Sequence, residues 1–124
     1  LDKETSGVQI LAFHPKAARQ YAEPFDAKTT KKIYQGVLRG NLEMAEGLWS
    51  MPLTDKAEGR KNPQGASKDR VPCETKYKKI QSNSYFTLCE FDLLTERQHQ
   101  IRKHAALSRH AIVGDPRYND PAYN

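Results

Sequence analysis

Between Val8 and Phe13 the chain is apolar at every position except Gln9, which predicts a mostly buried strand. His14-Pro15 ends that run, and Pro15 suits the first turn of a helix. Ala17, Ala18, Tyr21, Ala22 and Phe25 then recur at helical spacing, predicting a short amphipathic helix over 15–23 that Pro24 and Asp26 stop. From Lys31 to Arg39 the period changes to two. Ile33, Gln35, Val37 and Arg39 alternate with Lys32, Tyr34, Gly36 and Leu38, so Tyr34 faces away from Ile33 and Val37.

Gly40-Asn41 marks a turn. Leu42 to Leu53 shows no clear period and reads as an irregular segment or a short strand, with Trp49 as a core or rim anchor. Residues 54–72 are polar, punctuated by glycine and proline, and carry no apolar face; a stretch this long is either functional or disordered. Two alternating runs, Glu74 to Gln81 and Tyr85 to Leu93, flank Ser82-Asn83 and predict an antiparallel hairpin. Thr95 with Gln98 three residues on forms a capping-box pattern before a helix over 97–107, with Ile101, Ala105 and Leu107 facing inward. Ala111 to Val113 is a short apolar strand closed by Gly114-Asp115-Pro116. This order predicts an α+β fold, a largely antiparallel mixed sheet with short covering helices, in a single domain over 1–124.

Composition narrows the class. No apolar run approaches membrane-spanning length and no secretory signal is visible, so a cytoplasmic protein is expected. Cys73 and Cys89 form neither a CxxC pair nor a zinc spacing and read as two reduced thiols. His99 and His104 are five apart and share a helix face poorly, so no metal is expected. The net charge of +5 is localised: residues 1–55 and 80–124 are each balanced, and the excess lies in 56–79. Lys61, Lys68 and Arg70 there are candidate contacts to a polyanion, with a solvated loop as the plain structural alternative.

The first seven residues, Leu1-Asp2-Lys3-Glu4-Thr5-Ser6-Gly7, place an acid at the mouth of a polar turn that glycine closes. Asp-x-x-Thr is by itself an ordinary turn or cap pattern. Joined to three later motifs, however, it resembles the RluA-type pseudouridine synthases, whose early motif reads Leu-Asp-x-x-Thr-Ser-Gly. Lys32-Ile33-Tyr34 resembles the family's second motif, Lys-x-Tyr. Arg97-Gln98-His99-Gln100-Ile101-Arg102 resembles the third, and Ile112-Val113-Gly114-Asp115 with Tyr118 resembles the fourth. The first residue already lies inside a motif, so the chain is expected to be a piece of a longer protein, a partial pseudouridine synthase-like catalytic core.

The resemblance implies an isomerase that turns uridine into pseudouridine in structured RNA, ribosomal or transfer RNA, and acts as a monomer. Asp2 is then the catalytic carboxylate, Tyr34 a stacking wall or proton relay, and Arg97 the partner that orients Asp2. Arg102 is expected at phosphate, and His99 and Gln100 in support. The reaction involves neither redox change nor net hydrolysis and requires no cofactor. Two positions depart from the family pattern: Glu96 stands where glycine usually precedes the arginine, and Arg109 near the glycine expected before His110. The alternative is a non-catalytic RNA-binding module that keeps the motifs. A hydrolase using Asp2 with a histidine finds no triad-like spacing. The geometric expectation is that Asp2, Tyr34 and Arg97, remote in sequence, line one cleft.

Overall fold

The computed structural model describes residues 1–26 and 29–123. The chain divides into two compact units, Leu1–Lys31 and Lys32–Asn124.

In the first unit a turn at Lys3-Glu4 is closed by Thr5 N–H donating to the Asp2 carbonyl at 2.9 Å. The apolar run after it is not a strand. It takes part in no ladder among the described residues, and Val8 and Phe13 are 92% and 95% exposed. Alternation and apolarity make a segment competent for a sheet, but a ladder needs a neighbour; among the described residues none supplies one. Helix α1 spans Pro15–Asp26. His14 starts it, its Nδ1 accepting from Ala17 N–H at 3.1 Å and its carbonyl from Ala18 N–H at 3.1 Å. The helix runs past the expected stop. Pro24 lies in its last turn, where the missing N–H costs one backbone bond and little remains to be broken.

The second unit is built on four strands: β1 (Ile33–Arg39), β2 (Glu46–Trp49), β3 (Thr75–Ser82) and β4 (Phe86–Leu93). They form one antiparallel sheet in the order β1-β4-β3-β2. The expected hairpin is β3–β4. Asn83 turns it, with Oδ1 accepting from the N–H groups of Tyr85 and Phe86 at 2.8 Å each. The register pairs Tyr34 with Phe91 and Phe91 with Tyr77. These residues share a face with Leu38, Cys89, Thr75 and Trp49, and that face is the core side. Leu38, Trp49, Cys89 and Phe91 pack there with Leu42 and Ala105, and Tyr34, Tyr77, Ile101 and Ile112 close the edges. Ile33, Val37, Leu48, Ile80 and Phe86 lie on the other face and remain exposed.

Helix α2 spans Gln100–Leu107 and lies on the core side through Ile101 and Ala105. The expected strand at Ala111–Val113 is reduced to a single bridge between Ile112 and Leu38, flanked by bonds from Arg39 N–H to the Ala111 carbonyl and from Val113 N–H to the Val37 carbonyl. The long polar stretch is ordered by hydrogen bonds rather than by an apolar face. Leu53 and Val71 bridge its ends. Inside it, Arg70 donates twice to the Gly65 carbonyl, at 2.7 and 2.9 Å, and Thr54 N–H donates to the Gln64 carbonyl. Arg60 ties it to the Asn119 carbonyl, and Lys103, 0% exposed, reaches in from α2 to the Thr54 carbonyl at 2.8 Å. No helix among the described residues is long and apolar enough to cross a membrane.

Candidate active site

Two of the three expected catalytic residues, Tyr34 and Arg97, lie in the second unit, and Asp2 lies in the first. Tyr34 sits one position inside β1, half-buried at the edge of the aromatic core. The segment before it is joined to the segment carrying Arg97. Lys32 Nζ contacts Glu96 Oε2 at 2.6 Å, and Leu93 N–H donates to the Lys32 carbonyl at 3.1 Å. The first departure from the family pattern thus has a use: a glutamate in place of glycine gives Lys32 an ionic partner beside Arg97.

Arg97 is not in a helix. The expected helix over 97–107 begins instead at Gln100, and Thr95 is not its N-cap; His99 holds that position in the left-handed region, φ 59°, without a side-chain cap. Gln98 does not complete a capping box. Gln100 takes the role from inside the helix, its Oε1 accepting from the Thr95 hydroxyl and from Arg97 N–H at 3.0 Å each. Thr95 therefore closes a turn ahead of the helix, and Arg97 stands on that turn. Its side chain is partly buried, and its Nε has no hydrogen-bond partner among the described residues.

Behind Arg97 lies a chain of buried polar groups. Gln100 Nε2 donates to Thr75 Oγ1 at 2.9 Å, and Thr75 Oγ1 lies 2.9 Å from His104 Nδ1. His104 Nε2 lies 2.9 Å from the Met51 carbonyl, so Nε2 carries the proton and Nδ1 accepts from Thr75. Burial pulls the His104 pKa below the ordinary histidine value, and nearby Lys103 adds to that, while the Met51 bond works the other way. The imidazole is neutral. Cys73 donates to the same carbonyl at 3.2 Å, and burial pushes its thiol up, so it is an inert thiol rather than a nucleophile.

Arg102 does not stand open to solvent as a phosphate ligand would. Its Nε and one terminal nitrogen fork onto the two oxygens of Asp115 at 2.7 and 2.9 Å, and the Asp115 side chain is 3% exposed. Asp115 Oδ1 also accepts from the N–H groups of Arg117 and Tyr118. Burial alone would raise the Asp115 pKa; the Arg102 and backbone bonds outweigh it and hold the carboxyl below its usual value. The Tyr118 hydroxyl in turn lies 2.9 Å from His99 Nδ1. The third and fourth motifs are therefore one framework. Asp115 and Tyr118 were visible as motif positions, but nothing in their spacing told which helical side chains they would meet. Of the basic loop residues, Lys61 and Lys68 are exposed, whereas Arg70 spends its guanidinium on Gly65.

Comparison with known proteins agrees with this framework. Residues 1–107 match the family model described as RNA pseudouridylate synthase. The chain is a member of that family, in its RluA-type branch. It is 31% identical over 127 residues to the ribosomal large subunit pseudouridine synthase C of Vibrio parahaemolyticus, covering 100% of this chain and 39% of that protein. It is 31% identical over 136 residues to the tRNA pseudouridine synthase C of Salmonella typhimurium, covering 100% of this chain and 52% of that protein. Among solved structures, human RNA Pseudouridylate Synthase Domain Containing 4 matches with a TM-score of 0.85 at 25% identity, over 99% of this chain and 51% of that one. The chain thus spans about half, or less, of the length of the proteins it matches.

Proposed function

We propose that the protein is an RNA pseudouridine synthase in which Asp2 is the catalytic carboxylate, Arg97 its orienting partner and Tyr34 the aromatic wall for the displaced base. The observation that carries this is the family match across residues 1–107, which takes in the Asp2 turn, the Lys32–Tyr34 segment and the Arg97 turn together. The ordering of the last two around one aromatic core supports it.

The reaction breaks the bond from uracil N1 to the sugar C1′, turns the base, and joins C5 to C1′; the hydrogen at C5 leaves as a proton. A carboxylate serves this either by attacking C1′ or by assisting base departure and proton transfer. A guanidinium beside it keeps it ionised and aims it through a forked bond. The base must first leave its stack, at a cost on the order of a few kcal/mol. Stacking on an aromatic ring such as Tyr34 returns roughly 1–3 kcal/mol. Exposed Lys61 and Lys68 serve as phosphate contacts along the RNA. Arg102, committed to Asp115, holds the frame. The relatives' names point to ribosomal or transfer RNA as the substrate class.

The test is release of tritium to water from RNA carrying 5-tritiated uridine, incubated with the intact protein. Release is expected, and Asp2→Asn abolishes it while changing RNA affinity by less than about twofold, because the swap keeps shape and removes charge and nucleophile. An intact protein that binds RNA without releasing tritium is an RNA-binding module and not a synthase. An Asp2→Asn variant with undiminished release removes Asp2 from the mechanism.

A further inference from the structure

Arg97 precedes α2 and belongs to no regular element, so no helical ladder fixes it. A buried side chain does. Gln100 is 3% exposed, and all four hydrogen-bonding positions of its amide are filled. Oε1 accepts from Arg97 N–H and from the Thr95 hydroxyl, both at 3.0 Å. Nε2 donates to the Glu74 carbonyl at 3.0 Å and to Thr75 Oγ1 at 2.9 Å. A primary amide has two acceptor sites and two N–H groups, and none is left over. Nor can the amide be reversed, since that would set N–H against N–H at Arg97 and oxygen against oxygen at Glu74.

The arrangement closes on itself. Thr95 Oγ1 accepts from Glu74 N–H at 2.9 Å, and the Arg97 carbonyl accepts from Gln100 N–H at 3.0 Å. The Arg97 backbone is thereby clamped through both its N–H and its carbonyl to one residue, and that residue is anchored to the start of β3. A partly buried guanidinium whose Nε lacks a partner among the described residues takes its aim from the backbone that carries it.

We propose that Gln100 is a positioning residue, whose saturated amide holds the Arg97 turn so that the guanidinium meets the reacting carboxylate in register. The proposal rests on the assignment of Asp2 and Arg97 to the reaction. Gln100 touches neither substrate nor reacting atoms, so its loss acts on kcat and not on KM. A displacement of the order of 1 Å at an orienting group lowers rates by up to about 100-fold.

Two variants separate positioning from mere structural support. Gln100→Met removes all four bonds but keeps length and apolar fill. Gln100→Glu keeps acceptor oxygens for Arg97 N–H and Thr95 but sets a buried charge against the Glu74 carbonyl, so it is the less stable of the two. Positioning predicts the opposite order in activity. Gln100→Met loses about 10- to 100-fold in kcat with KM within about twofold, and Gln100→Glu recovers most of that. Turnover that simply follows stability, with Met at or above Glu, overturns the proposal. In an Arg97→Ala background Gln100→Met should have no further effect on kcat; a further loss of the same factor overturns it as well. Hydrogen exchange at the Arg97 amide, read without RNA, is the independent measurement. In Gln100→Met it accelerates by about 10-fold or more relative to amides of β3 and β4. Unchanged exchange sinks the proposal whatever the turnover. Should Arg97→Ala keep full turnover, the catalytic assignment falls, and the exchange result still decides whether Gln100 holds Arg97.

Discussion

The two ends of α2 carry the two non-glycine residues found in the left-handed region among the described residues, His99 at φ 59° and Arg109 at φ 68°. That conformation costs an L-residue roughly 1–2 kcal/mol. At the N-terminal end the strained residue is engaged. His99 Nδ1 bonds the Tyr118 hydroxyl, the two rings meet edge to face with centroids 5.6 Å apart, and Arg97 and Gln100 stand close by on either side in the chain. At the C-terminal end the strained residue is exposed, and its side chain stands away from the core. One helix thus holds strain that places functional groups and strain that serves only to end it. Strain that persists at a site crowded with functional groups is a sign of use; the same strain on an open surface is a cost that a glycine would spare.

The largest expected effect comes from breaking what supports the engaged end. Arg102→Ala leaves the Asp115 carboxylate buried without its forked partner. It also removes the guanidinium that lies 5.1 Å from the Tyr118 ring. Removing one member of a buried pair costs about 3–5 kcal/mol, a large share of the roughly 5–15 kcal/mol typical of a domain. Urea denaturation measures it. A loss below about 1 kcal/mol would mean that the third and fourth motifs are not one framework.

Acidification attacks the same end. His104 has a folded-state pKa below the ordinary value near 6.5, so between that lowered value and about 6.5 the unfolded chain binds more protons. Stability therefore rises with pH through that window and is lost as pH falls through it. Asp115 adds a second loss lower down. Its carboxyl is held below the ordinary aspartate value of 3.8, so its contribution is present above that value and disappears as pH drops through the depressed one. Two acid-side decrements are expected in denaturation curves taken at successive pH. His104→Gln should remove the upper one, and a profile unchanged by that substitution would place the neutral imidazole elsewhere than in the buried chain from Gln100 to Met51.

Glycine at the two strained positions should have opposite signs. His99→Gly relieves the backbone by roughly 1 kcal/mol. It also takes the partner from a hydroxyl on Tyr118, which is only 3% exposed, at about 1–3 kcal/mol. The net expectation is a loss of about 1 kcal/mol in urea denaturation, with a larger loss in turnover. A gain in stability would show that the Tyr118 contact contributes nothing.

Much of the fold was legible in the chain, and the failures share a cause. Alternation put Tyr34 opposite Ile33, and Ser82-Asn83 between two alternating runs gave the hairpin, because both signals are local. The run from Val8 to Phe13 was legible as apolar, but whether it pairs depends on a neighbour that the run itself does not contain. The start of α2 was misplaced because Thr95 and Gln98 satisfy the capping-box spacing, while the glutamine that competes successfully for Thr95 lies five residues away and is buried by β3. Arg102 was legible as a phosphate-seeking cation until Asp115, thirteen residues on, took it. The polar stretch from 54 to 72 lacks an apolar face, as its composition says, yet it is ordered by carbonyls satisfied from Arg70 and Lys103. Local periods show; tertiary claims on a side chain do not.

The smallest expected effect is also the sharpest test of the contrast between the two ends. The C-terminal end of α2 is closed by a pair of bonds, from Arg109 N–H to the Ala106 carbonyl and from His110 N–H to the Ala105 carbonyl, each 3.0 Å. With Ser108 as the C-cap, these are the 5→2 and 6→1 bonds of a Schellman closure, and Arg109 is the C′ residue that the motif places in the left-handed region. Glycine is the usual occupant because it lacks the Cβ that makes this conformation costly, and it is what the family pattern has close to this position. Arg109→Gly should keep both bonds and shed the strain. Against that stands the greater freedom that glycine has in the unfolded chain, which takes back part of the gain. The net should be a stabilisation of about 0.5–1 kcal/mol, with turnover unchanged because the exposed guanidinium touches neither Arg97 nor its supports. The measurement is the midpoint of urea denaturation at unchanged slope. A variant that is less stable than the parent would show that the arginine side chain holds something at this end after all, and the contrast between an engaged and an idle left-handed residue would fail.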